Sequence, residues 1–262
     1  MVYRICILIL ILLSFTPNAI ASTMTERLDS FPDWNNKPSV QTARGDLEFP
    51  DWMAGTWEVT STLVEQFAPL APDIVTPGFE DNRSYFNKAI AFQVRFGREY
   101  DSPRTKFFSL YTSQPAVVAD RAFNSKNITQ AYLGTDSVYR VKVDPSNPNR
   151  QITLLRGDKR LVSTVTERYS EQLAADEFLA TEIIEQLFKS PERIYLNQVE
   201  ILSDYQFISP ENIRGEQITA IYLSPQDPDY FKAGNRPVAL YHYHLVLKKQ
   251  ITNKFSEKLP KQ

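Results

Sequence analysis

His242 and His244 are the only imidazoles in the chain, and they stand two residues apart in a stretch, Ala239 to Lys248, that alternates as a strand does. Side chains at that spacing leave one face of a strand together, so the pair amounts to half a metal site and would need a Glu or Asp to extend it. The opposite face, Ala239, Tyr241, Tyr243, Leu245 and Leu247, is the more apolar and is expected to look into a core. The histidines are therefore expected to face outward, and no metal ligand is assigned. Arg95, Arg168 and Glu200 interrupt otherwise hydrophobic stretches and would orient a polar ligand if they pointed inward. Exposed strand faces carry such charges routinely, so they too are expected outside. The single cysteine, Cys6, lies in the apolar N-terminal run, which leaves the rest of the chain without a thiol nucleophile or a disulfide. No nucleophile elbow, phosphate loop, zinc spacing or Ser/His/Asp arrangement is present. No catalytic residue is assigned, no cofactor is called for, and an enzyme acting on a hydrophobic ligand is the weakest of the readings.

Charge and composition narrow the classes further. With 29 Lys and Arg against 31 Asp and Glu, the net charge is −2, which provides no electrostatic footprint for nucleic acid. Hydrophobic residues at 42% and aromatics at 12% fill a sizeable core. Arg4, the apolar run Ile5 to Phe15 and the small-x-small Ala19-Ile20-Ala21 before Ser22 read as an export signal. That run is shorter than the ~20 residues a membrane span takes. The organisation expected is a signal peptide at 1–21, a tether or extended arm at 22–46 whose aromatics Phe31 and Trp34 could dock on the barrel, one barrel domain at 47–250 and a tail at 251–262.

The elements that must position any site are mostly strands. Gly55 to Val64 alternates Trp57, Val59, Ser61 and Leu63 with Glu58, Thr60, Thr62 and Val64, and Ala89 to Phe96 alternates as cleanly. Further strands are predicted at Phe107 to Thr112, Ser137 to Val143, Gln151 to Arg156, Leu161 to Tyr169, Ile194 to Ile208, Gln217 to Leu223 and Val238 to Lys248. Phe178 to Phe188 fits both periods and is read as a strand from its neighbours. One helix is expected from Asp120 to Leu133, with Asp120 as N-cap and Gly134 at the end. Between the first two strands, the proline-rich 67–88 is too apolar to float in solvent and is read as a lid over a barrel mouth. Candidate ligand contacts are Phe67, Ile74, Phe79 and Tyr85 of the lid and Phe92, Tyr241 and Tyr243 of the strands. The fold class is mainly β, an antiparallel up-and-down barrel closed by strand pairing, with the lid and one short helix.

Two resemblances add to this. Gly55-Thr56-Trp57 at the head of the first strand looks like the lipocalin or calycin signature, in which the indole plugs the closed end of the barrel. In lipocalins an arginine after the last strand packs over that indole; here Lys248 and Lys249 stand at the end. Over the length of the chain, the run PDWMAGTWEVTSTLVEQFAPLAPDIVTPGFEDNRSYFN with DRAFN, AYLG, DPSNPNRQI, NQVE and YLSPQDPDYFKAGNRPVALYHYHL resembles an uncharacterised family of cyanobacteria and chloroplasts. That resemblance implies the thylakoid lumen or the periplasm and carries no activity with it. The function expected is carriage of a hydrophobic small molecule such as a pigment, quinone or lipid. The alternative is an accessory or assembly protein acting through its surface on a photosynthetic membrane complex.

Overall fold

A computed structural model describes residues 18–98 and 115–250. The strand expected at Phe107 to Thr112, most of the expected export signal and the C-terminal tail lie outside the described residues. What is described is one antiparallel sheet of twelve strands that curls into a half-barrel. In chain order the elements are α1 (Asn18–Asp29), β1 (Gln41–Thr42), β2 (Glu48–Phe49), β3 (Gly55–Phe67), β4 (Ala89–Arg98), β5 (Val117–Ala119), α2 (Arg121–Leu133), β6 (Val138–Asp144), β7 (Asn147–Leu155), β8 (Lys159–Ala174), β9 (Glu177–Lys189), β10 (Ile194–Ser209), β11 (Asn212–Leu223), α3 (Tyr230–Ala233) and β12 (Ala239–Lys249). Their spatial order is β2-β5-β4-β3-β12-β11-β10-β9-β8-β7-β6, with β1 added on β8. The first long strand thus pairs with the last, as barrel closure asks, and the ambiguous segment forms β9.

Among the described residues no strand joins β4 to β6. Helix α2 packs against β4, β6 and β7 and fills the gap instead. It begins where Asp120 Oδ1 accepts the Phe123 N–H at 3.0 Å and ends at Gly134, whose φ is +94°. Its anchor substitutes for a strand: the Asn124 side chain accepts the Arg95 N–H at 2.7 Å and donates to the Arg95 carbonyl at 3.2 Å. The β4 edge is covered without a ladder, which keeps its free backbone groups from pairing elsewhere.

The arm docks on the sheet through Trp34 and Phe31. It opens in helix α1 and pairs as β1, with Gln41 opposite Arg168. Met24 and Trp34 are buried on the outer face of the sheet against Leu179, Leu202, Ile218, Ala220, Tyr222 and Leu240. This covering explains the double period of β9, whose outward Leu179 and Ile183 are buried as fully as its inward Phe178. Two bulges set which side chains look inward. Val64 is an extra residue in β3 against β12, and Thr166 is one in β8 against β9. Beyond each bulge the two faces of the strand exchange.

Candidate functional site

The closed end is built on three residues. Trp57 is fully buried and its Nε1 donates to the Met53 carbonyl at 2.8 Å. Lys249 Nζ lies 5.1 Å from the centre of the Trp57 ring, so a lysine takes the place over the indole. Gly55, at φ +133°, gives the lysine room, since a Cβ there would come within 2.8 Å of Lys249 Cε. Val59, Val94, Phe96, Val117, Ile213, Leu245 and Leu247 complete an apolar floor.

At the other end the 67–88 segment folds over the sheet, with Ile74 and Phe79 buried. The Asn87 N–H donates to the Leu63 carbonyl at 2.9 Å and ties the end of the segment to β3. Phe79 packs 5.9 Å from Tyr241 in a cluster that includes Leu63, Ala239, Tyr85 and Tyr243. Ile74 belongs to a second cluster with Leu223, Ala233 and Val238. Val75 and Phe86 of the same segment are each 44% exposed.

Between floor and lid the inward-facing side chains become polar. The registers place Ser61, Gln217, Thr219, Ser203, Glu182 and Arg168 on the inner face, with Tyr243 opposite Leu63 and Gln217. Tyr132 reaches this band from α2 with its phenol near Ser61, and its carbonyl accepts the Tyr85 hydroxyl at 3.3 Å. Burial raises the Tyr132 and Tyr243 phenols above their ordinary value, and neighbouring tyrosines add to it. Both are therefore neutral groups that donate and accept. Tyr132, Tyr243, Gln217, Thr219 and Ile201 keep part of their surface accessible although they face inward.

Of the seven candidate contacts, Phe79, Tyr85, Tyr241 and Tyr243 come together in one cluster. Ile74 lies in the neighbouring one, and Phe92 packs on the floor. Phe67 does not join them. It lies beyond the Val64 bulge and so on the outer face, 5.5 Å from Phe31 of the arm.

The three interrupting charges separate as sharply. Arg95 is outside, bound to Asp120 at 2.6 Å and stacked 4.3 Å over Phe123. Arg168, expected outside, is turned inward by the Thr166 bulge, where its guanidinium meets Glu182 at 2.7 Å and Asn149 at 2.7 Å. Arg121 of α2 joins the same Glu182 at 3.1 Å and binds Asp46 at 2.9 Å. Burial works against the Arg121 charge, but Glu182 and Asp46 outweigh it and raise its pKa. Glu200 is on the outer face yet fully buried, because the arm covers it. It takes a bidentate Arg27 at 2.6 and 2.8 Å and the Tyr222 hydroxyl at 2.6 Å. Arg27 in turn lies 3.7 Å over Trp34. Neither Arg121 nor Arg27 carried a signal in the sequence; both stand on helices with little apolar periodicity.

The histidines face outward as expected. His242 Nε2 is 2.8 Å from Glu216 and its Nδ1 is 3.3 Å from Glu65, carboxylates supplied by the two strands that flank β12.

Fold and site together define a class: a curled antiparallel sheet, consistent with a lipocalin-like barrel, with an apolar floor, a polar middle and a lidded end. A family profile described as a domain of unknown function, DUF6816, matches residues 41–251, and the chain belongs to that family. Neither the curated proteins nor the solved structures yielded a match.

Proposed function

We propose that the protein is an exported binding module, resident in the thylakoid lumen or periplasm, that holds a hydrophobic small molecule carrying a polar group. The observation that carries this reading is the inward band of Tyr132, Tyr243, Gln217 and Thr219, still partly accessible between the apolar floor and the lid. A filled structural core has little use for neutral phenols and amides at its centre. A ligand with an apolar body and a hydroxyl or carbonyl would use both layers, burying the body at ~25 cal/mol per Å² and pairing the polar atom.

Native mass spectrometry of the protein purified from its own host tests this. The expected result is one small molecule per chain that is released on denaturation. A bare chain mass would overturn it. A second reading, an accessory protein on a photosynthetic membrane complex, draws on the apolar rim: Phe231 is 91% exposed, and Val75 and Phe86 are 44% exposed. Recovery of a protein partner without a small molecule would favour that reading.

A further inference from the structure

We propose that Glu216, His242 and His244 form a binding site for a divalent transition-metal ion, zinc or copper, on the outer face of the sheet, with Glu65 as the partner that aims His242. The strand registers assemble it. His242 and His244 leave β12 on one face, and Glu216 of β11 stands directly opposite His244. The ligand atoms of the three residues all lie within 4.8 Å of one another. Around an ion with bonds of ~2.0 to 2.1 Å, tetrahedral donors sit about 3.3 Å apart, so small side-chain rotations close the set. Two imidazole nitrogens and one carboxylate oxygen suit zinc or copper, and three protein ligands leave a coordination position open.

The surroundings of His242 distinguish this arrangement from a chance pair of surface histidines. Its ring is only 13% exposed, packed 5.2 Å from Phe31 of the arm and 5.3 Å from His244. Both of its nitrogens face carboxylates, Nδ1 toward Glu65 and Nε2 toward Glu216. A neutral imidazole has one N–H and therefore donates to only one of them; the other nitrogen presents a lone pair, which calls for a second proton or a metal ion. With Nδ1–H given to Glu65, Nε2 is left as the metal-binding atom, the carboxylate–histidine–metal arrangement in which the outer partner orients the ring. The ion would tie β11 to β12, whose His242 leans on Glu65 of β3. That is the seam where the first long strand meets the last.

Untagged, chelator-treated protein titrated with Zn²⁺ by calorimetry should bind one ion per chain. His244→Gln should weaken binding at least tenfold, and Glu216→Gln and Glu65→Gln about tenfold each. Loaded with Cu²⁺, the protein should show two nitrogen ligands by electron paramagnetic resonance, and one after His244→Gln. His244, Glu216 and Glu65 side chains are about half exposed, so these variants should fold as the parent does. Absence of a saturable site at one ion per chain would overturn the proposal. So would affinity unchanged by Glu216→Gln and Glu65→Gln, which would reduce the site to adventitious chelation by two histidines.

Discussion

Glu200 shows at the scale of one residue how a charge within a strand is made tolerable. Its carboxylate is fully buried, and the bidentate Arg27 with the Tyr222 hydroxyl occupies its oxygens. Removing one partner of such a pair leaves an uncompensated buried charge, which costs about 3 to 5 kcal/mol. Arg27→Ala should therefore lower the urea unfolding free energy by that much. The double variant Arg27→Met with Glu200→Gln should recover most of the loss, since no charge is then stranded. A loss below about 1 kcal/mol for Arg27→Ala would mean that the arm does not cover Glu200 in solution, because exposed ion pairs contribute only that much.

At the scale of elements, α2 and the lid each take over a task that strands perform elsewhere. The helix covers the open edge of β4 through Asn124, and the 67–88 segment closes the end opposite Trp57 through Ile74 and Phe79. Burying each of those side chains contributes ~1.5 to 3 kcal/mol, enough to hold a short segment down. Phe79→Ala with Tyr85→Ala should speed amide hydrogen exchange across 67–88 and, in ligand-loaded protein, raise the ligand's dissociation rate tenfold or more, while the sheet still melts in one cooperative step. Exchange unchanged in 67–88 would show that these two side chains do not hold the lid. Faster exchange with unchanged ligand release would make it a structural plug.

At the scale of the whole molecule, the arm shares one helix with the end of the segment read from the sequence as an export signal. The cleavage point expected after Ala21 falls inside α1 (Asn18–Asp29), and the described side chains that dock on the sheet, from Met24 through Arg27 to Trp34, lie beyond it. Processing at that point keeps the ion pair to Glu200. N-terminal sequencing of protein isolated from its host should therefore begin at Ser22, in the soluble lumenal or periplasmic fraction. An intact Met1, or recovery only with integral membrane proteins, would overturn the export reading. Most of the arm, Arg27 included, lies outside the 41–251 matched by the family, although Arg27 covers a charge that lies within that region.

Alternation and turn residues determined a great deal unaided: the β class, the run of antiparallel strands, and the capped helix from Asp120 to Gly134. These features depend on neighbours in sequence, where a period of two or 3.6 is visible. Tertiary structure alone decided what depends on register. A bulge adds one residue without breaking the pattern of residue types, so nothing in the alternation announced that Val64 would send Phe67 outward or that Thr166 would bring Arg168 in. The burial of Glu200 waited on a helix from the far end of the chain, and the third ligand beside His242 and His244 waited on the pairing of β11 with β12. Each of these joins residues distant in sequence through one strand register or one docked helix, and composition carries no record of either.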